Sequence, residues 1–382
     1  MKGTQGRVWR LVFFGLGLLF VLSWGRPAGQ AGASELHTSY LPIVARNYFS
    51  VGPTLPAPQI LSGAPPLNLA AIQQQLQNQG LTLGLNKIGF HTGYGGNRDG
   101  LLDWMQGQDA DGIPFFLKAV DDPEPLVQAQ ALMQASGVPH TLVFRRTGTG
   151  FDVPDYNLPP VQSAQEHWAR HLATWPAELD PSLVWIETLN EVDKNRSEWL
   201  AEFAMETARL ALRDGYRWAA FGWSSGEPEQ FHWEGPQMLN FLRLVADHPN
   251  QLAIALHEYS YDRTNIGNAY PWLVGRFQHL FQVVDNNGIS RPTILITEWG
   301  WEYQDIPTPA EAMADIQWAA WLYAAYPQVK GAAVWYLGGG YSNIADQTQQ
   351  LIAPLSSYSR SHYFGVTPGV GAVNPSLFPP PP

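Results

Sequence analysis

Two glutamates in this chain of 382 residues are placed as a catalytic pair would be. Glu191 closes the run Leu183–Glu191 (LVWIETLNE), and Glu298 closes Pro292–Glu298 (PTILITE). Glu298 directly follows an apolar, β-branched stretch, where a solvated surface acid is out of place, whereas Glu191 also reads as an acid at the start of the next helix, where a negative charge is favourable. Two carboxylates can cleave a glycosidic bond: one, as acid, protonates the leaving oxygen, and the other attacks the anomeric carbon or activates water. A separation near about 5 Å favours the covalent, retaining route, because no water fits between them. Two carboxylates held close resist ionising together, so one of the pair is expected to have a raised pKa while the other stays ionised.

Other chemistry-bearing residues stand at the ends of similar runs. His91 ends Lys87–His91 and reads as a rim histidine or a sugar contact, His257 and Tyr259 end Leu252–Tyr259, and Trp335 lies in Gly331–Leu337. Lys118, Arg145 and Arg146 occupy the corresponding places on two further runs. Sugar rings have apolar C–H faces that stack on aromatic planes, so Trp335, Trp299 and Trp301 read as platforms, as do Trp223 and Trp233. Trp104, Trp168, Trp175, Trp199, Trp318 and Trp321 fall in stretches of helical period and read as packing. Glu187 reads as part of a buried charge network, and strand alternation turns Glu258 away from His257 and Tyr259.

Several classes are excluded. The chain has no cysteine, hence no disulfide scaffold, thiolate metal site or thiol nucleophile. The first run ends Phe90-His91-Thr92 without a second His, and no other run carries a His/Asp cluster, so no metal or other cofactor is expected. No Gly-x-Gly-x-x-Gly follows the first run. A net charge of −11 without Lys/Arg runs is a poor basis for nucleic acid binding.

These residues need a frame that brings distant run ends together. Eight apolar, β-branched or aromatic runs recur: 87–91, 113–120, 140–146, 183–191, 217–223, 252–259, 292–298 and 331–337. Between them lie amphipathic stretches such as 162–174, 197–214, 236–247 and 309–325. This alternation predicts an α/β chain forming a (β/α)8 TIM barrel over residues 85–365, with the polar run ends gathered on the C-terminal, active-site face.

The flanks read differently. Residues 1–33 carry four basic residues and no acid, an apolar run from Leu11 to Trp24, and then Ala31-Gly32-Ala33. Fourteen apolar residues rise only about 21 Å as a helix, short of a bilayer core of about 30 Å. The reading is a cleaved secretory signal, giving a secreted, extracellular protein with no membrane insertion after cleavage. Residues 34–84 read as a Pro-rich linker and lead-in segment, and 366–382 as a Pro-rich tail. The barrel is expected to act as a monomer.

On these residues the core resembles the glycoside hydrolases of clan A, retaining (β/α)8 enzymes that include cellulases, mannanases and xylosidases. In that clan an Asn-Glu pair ends the fourth strand, as Asn190-Glu191 does here, and the resemblance implies that Glu191 is the acid/base, and hence the carboxyl expected to be raised while Glu298 stays ionised, and that Asn190 binds the sugar 2-hydroxyl. A Glu four residues earlier matches Glu187. The nucleophile of the clan ends the seventh strand, often before aromatic-Gly, matching Glu298-Trp299-Gly300. His257-Glu258-Tyr259 matches a His-x-Tyr on the sixth strand whose Tyr orients the nucleophile, and Trp335 matches the Trp under the cleaved sugar. Lys118 stands where an Arg is usual and Arg145-Arg146 where a His is frequent, which leaves the family within the clan open. The function implied is hydrolysis of a β-linked polysaccharide or oligosaccharide; the alternatives are a non-catalytic carbohydrate-binding barrel and a metal-dependent barrel hydrolase.

Overall fold

The eight runs form eight parallel strands that close on themselves. In chain order they are β1 (Ile88–Thr92), β2 (Phe116–Val120), β3 (Thr141–Arg145), β4 (Val184–Glu187), β5 (Arg217–Trp223), β6 (Leu252–Ser260), β7 (Ile294–Trp301) and β8 (Val329–Leu337). Each pairs with its neighbour in sequence, and β8 pairs back onto β1. Helices α1 (Leu101–Ala110), α2 (Glu124–Ser136), α3 (Pro160–Ala173), α4 (Ser197–Asp214), α5 (Pro236–Asp247), α6 (Phe277–Asn286) and α7 (Pro309–Ala324) alternate with the strands. After β8 come α8 (Ser342–Gln350) and α9 (Ile352–Ser361). The structure, a computed structural model, describes residues 54–263, 266–302, 307–369 and 372–373. All of these belong to one unit spanning Asn47–Pro382.

The strands are short and apolar because both of their faces are buried. Inward, Phe116, Val143, Trp185 and Leu295 pack with Ala219, Ala253, Ala255 and Ala333, the bulky rings filling what the alanines leave. Outward, the strands pack on the helical ring in one continuous apolar cluster. Local signals set the helix ends. Thr308 and Glu311 form a reciprocal capping box at the start of α7, with Pro309 in its first turn.

Three strands depart from regular pairing near their C-terminal ends. In β7 the register steps from Ile296 opposite Leu256 to Glu298 opposite His257, which leaves Thr297 as an extra residue. Similar steps lie between Ala220 and Trp223 of β5 and between Val334 and Leu337 of β8. A bulge of this kind re-aims the side chains that follow it.

Below the barrel, residues expected to be linker are folded. Gln59–Ser62 and Thr82–Gly84 pair antiparallel on either side of His362–Val366, and the helix Leu69–Asn78 lies between the first two in sequence. The Trp321 indole of α7 donates to the Pro58 carbonyl at 2.8 Å, tying this segment to the helical ring. Ala372–Val373, within the expected tail, pairs parallel with Thr54–Leu55. Six prolines between residues 34 and 66 obscure short edge strands, which tolerate proline where central strands do not. The expected signal segment, residues 1–33, lies outside the described residues. Among the described residues no helix is long and apolar enough to cross a membrane.

Candidate active site

Glu298 is the centre of the C-terminal face. Strict alternation from the inward Leu295 would turn Glu298 outward and Trp299 inward. The extra residue Thr297 reverses this. The Thr297 hydroxyl points inward and donates to Glu187 Oε1 at 2.6 Å, and Glu298 then also faces the barrel axis. Trp299 and Trp301 consequently face the helical ring, 0% and 3% exposed, and the Trp301 indole donates to Asp315 at 2.7 Å. Neither is a sugar platform, contrary to the sequence reading. Trp223 and Trp233 are buried as well, with ring centroids 5.8 Å apart. Of the five tryptophans read as platforms, Trp335 alone keeps a partly exposed face.

Donors surround the Glu298 carboxylate. Lys118 Nζ lies 3.2 Å, Arg145 Nη2 3.5 Å and His91 Nε2 3.7 Å from Oε1. The Tyr259 hydroxyl donates to Oε2 at 2.8 Å, and His257 Nδ1 is 3.6 Å from the same oxygen. Burial by itself pushes this carboxyl up, but His257, Lys118 and Arg145, with His91 beside them, outweigh it and hold Glu298 well below the usual carboxylate range. Burial and the Glu298 charge push the Tyr259 phenol well up, so it stays a donor.

Glu191 reaches the site from a loop rather than from a strand. β4 ends at Glu187, and Thr188–Glu191 continue past it. The Asn190 N–H donates to the Asp152 carbonyl at 2.7 Å and the Glu191 N–H to the Gly222 carbonyl at 2.7 Å. A side chain at Gly222 would meet the Leu189 carbonyl at 2.9 Å, so glycine lets the loop pass this close. Glu191 itself is left-handed, with φ 48°. A non-glycine residue in that region is held at a cost of about 1–2 kcal/mol, the kind of local strain that clusters at functional sites.

His257 Nδ1 lies 3.3 Å from Glu191 Oε1 and 3.6 Å from Glu298 Oε2. One imidazole nitrogen thus bridges both carboxylates, and the two oxygens can be no more than about 7 Å apart, a bound that includes the retaining separation and reaches only the lower edge of the inverting range. The His257 hydrogen bond holds Glu191 below its ordinary value, against burial and the Glu298 charge. This corrects the expectation of a raised Glu191. Carboxylate repulsion was the only effect readable from two glutamates, and the structure adds an imidazole between them and two cations beneath.

Those cations form the part of the site that residue types alone did not assemble. Lys118, on β2 and fully buried, sits between Glu298 and Glu187, 2.6 Å from Glu187 Oε2. Arg145, on β3, also approaches Glu187 at 4.0 Å and donates to Asp152 at 3.1 Å, whose carbonyl holds Asn190. Burial pushes Glu187 up, yet Lys118 and Arg145 outweigh it and keep it low. The signal for this network was the polar ending of the second and third runs. Glu258, as alternation implied, points away, accepting from the Gly275 N–H at 2.8 Å and the Tyr323 hydroxyl at 2.7 Å; burial pushes it up to about 7.

Asn190 and Trp335 complete the mouth. Asn190 Oδ1 and His257 Nε2 are buried without a hydrogen-bond partner. The Trp335 ring stands 6.3 Å from that of Tyr259, nearly perpendicular, and the Trp335–Tyr336 peptide bond is cis. His91 is 3% exposed and lies beside Glu298 rather than on the rim; burial lowers it to about 4. Among the described residues no three His, Asp or Glu side chains converge as metal ligands do.

No protein-family model matches the chain, and no curated protein matches it in sequence. Solved structures match it at low identity. XacCel5A is 15% identical over 72% of this chain and 99% of that one, with a TM-score of 0.44. A Bacteroides ovatus GH5 xyloglucanase, solved with a XXXG heptasaccharide, is 11% identical over 71% and 75%, with a TM-score of 0.37. The YdjI aldolase from Escherichia coli K12 is 9% identical over 74% and 92%, with a TM-score of 0.35. At these values the likenesses say nothing about activity. The chain is a closed (β/α)8 barrel, and the residues of the clan A pattern stand near or just past the C-terminal ends of its fourth, sixth, seventh and eighth strands.

Proposed function

We propose that this chain is a secreted retaining glycoside hydrolase that cleaves O-glycosidic bonds of a β-linked polysaccharide or oligosaccharide. The observation that carries the reading is the single His257 nitrogen within 3.6 Å of both Glu191 and Glu298, which keeps the pair close. Signal residues 1–33, a barrel of 85–365 and a monomeric state belong to the same reading.

In the first step Glu298 attacks the anomeric carbon, the bond to the leaving oxygen breaks, and that oxygen takes the Glu191 proton. In the second, water attacks the same carbon, Glu191 takes its proton, and the bond to Glu298 breaks. Lys118 and Arg145 keep Glu298 ionised, Tyr259 orients it, and Trp335 floors the sugar. The unpartnered Asn190 Oδ1 suits a sugar hydroxyl. Because His257 lowers Glu191, the proton the first step needs is lost early as pH rises, and activity is expected to be greatest on the acid side of neutral.

The test is a pair of variants on an activated aryl β-glycoside that the wild type cleaves. Glu298→Ala should nearly abolish turnover. Glu191→Ala should still form the glycosyl-enzyme but release it slowly, and azide, a nucleophile needing no general base, should restore turnover and yield the β-glycosyl azide. Wild-type activity in both variants, or rescue of neither, overturns the assignment. A non-catalytic carbohydrate-binding barrel predicts binding without reducing-sugar release by the wild type.

A further inference from the structure

Among the described residues four aromatic side chains are exposed: Tyr94 at 62%, Phe231 at 67%, Tyr261 at 62% and Tyr341 at 43%. All four lie on segments that follow barrel strands, so all belong to the face that holds Glu191 and Glu298. Phe231 packs on its neighbour His232, the ring centroids 4.1 Å apart, and Tyr341 packs on Trp335 and Tyr336, at 4.9 and 5.6 Å. Tyr94, Tyr261 and Tyr341 flank the carboxylates.

Tyr341 and Tyr94 stand together on the Trp335 flank. The Tyr341 ring lies 4.9 Å from Trp335, and Trp335 lies 6.3 Å from Tyr259, whose hydroxyl holds Glu298. The two loops are laced: the Gly339 N–H donates to the Tyr94 carbonyl at 2.6 Å and the Gly93 N–H to that of Leu337 at 2.9 Å. Tyr261 stands on the other flank, just beyond the end of β6. β6 pairs with β7 on the side away from β8, and its His257 lies 3.3 Å from Glu191, so Tyr261 continues the strand that adjoins the acid.

The geometry points to a glycan path that crosses the mouth, with Tyr341 and Tyr94 supporting sugars on the glycone side and Tyr261 supporting the aglycone side, so that the enzyme cuts internal bonds of a linear β-linked chain. This rests on the proposed hydrolase reading and adds the mode of attack. An enzyme that removes terminal units needs one side closed, whereas here an exposed aromatic face continues the site on both flanks. Rings already exposed lose apolar area to water, and a sugar face removes it. Binding remote units in this way supplies energy that the reacting unit draws on.

The experiment uses cello-, manno- and xylo-oligosaccharides of two to six units labelled at the reducing end, and reads which bond the full chain cuts. In the series that the wild type cleaves, the rate should rise with length and internal bonds should be cut. Tyr341→Ala should move the cut toward the non-reducing end, because fewer units are then held on the glycone side. Tyr261→Ala should move it toward the reducing end. Each ratio of adjacent cleavages should change about tenfold, as for a lost aromatic contact of about 1.4 kcal/mol. A merely structural role would lower the rate without moving the cut. Release of terminal units only, or an unmoved cut in both variants, overturns the inference. Activated aryl monoglycosides keep the two readings apart. If they are cleaved while oligosaccharides are cut only at their ends, the internal mode alone fails; if no glycoside is cleaved, the hydrolase reading fails with it.

Discussion

Lys118→Met tests the ionic base of the site most directly. Lys118 is fully buried, 2.6 Å from Glu187 and 3.2 Å from Glu298. At an effective dielectric constant of about 20, a unit pair 3.2 Å apart attracts by about 5 kcal/mol. Removing the cation leaves two buried carboxylates with Arg145 at 3.5 and 4.0 Å, and breaking a buried pair in this way costs about 3–5 kcal/mol of stability. Part of that cost is relieved when a carboxylate takes up a proton, which silences Glu298 as a nucleophile. The acid limb of kcat/KM against pH should therefore rise by about one pH unit or more, one unit being 1.36 kcal/mol. Glu187→Gln perturbs the same cluster with the opposite sign, because Lys118 then serves Glu298 alone, and its acid limb should stay or fall. Urea unfolding gives the stability change, and hydrolysis of an aryl glycoside accepted by the wild type gives the limb. A folded Lys118→Met protein with an unmoved acid limb, or two variants shifting it the same way, would refute the reasoning.

Two further outcomes concern two buried histidines and two tryptophans. Burial lowers His167 to about 4 and His171 to about 3, so as pH falls the unfolded chain takes up protons near its ordinary value of about 6.5 before the native one does. Stability should thus drop as pH falls from about 6.5 toward those lower values, each histidine contributing about 2 kcal/mol by pH 5. Thermal unfolding of His171→Gln should show a flatter pH dependence between pH 7 and 5, and an unchanged slope counts against it. Trp299→Ala and Trp335→Ala should behave oppositely. The first empties a fully buried core site and should cost about 3–5 kcal/mol of stability, whereas the second should leave unfolding nearly unchanged while lowering kcat/KM. Comparable stability loss in both would place Trp335 in the core.

The frame was legible in the sequence because burial on both faces forces continuous apolar runs, and those runs mark all eight barrel strands with only their ends shifting. The polar residues at the run ends were legible for the same reason, since in a barrel every strand delivers its C-terminal residue to one face. The run ends alone therefore group Glu298, Asn190-Glu191, His257, Tyr259 and Trp335 on one face. Tertiary structure decided which way those residues point. Period-two alternation holds only while pairing is regular, and the extra residue Thr297 inverts it, sending Glu298 inward and Trp299 and Trp301 into the core. The charge state of Glu191 was decided there too. It depends on His257, 66 residues away in sequence and 3.3 Å away in space, and on the Lys118 and Arg145 charges that two other strands carry to the same point. The strands at 59–62 and 82–84 were equally illegible, because segments of four and three residues are too short to show a period and gain their pairing only from His362–Val366, nearly three hundred residues later. A sequence states what each residue can do, but a bulge, a bridging imidazole and a distant pairing partner are relations between segments, and they exist only once the chain has closed.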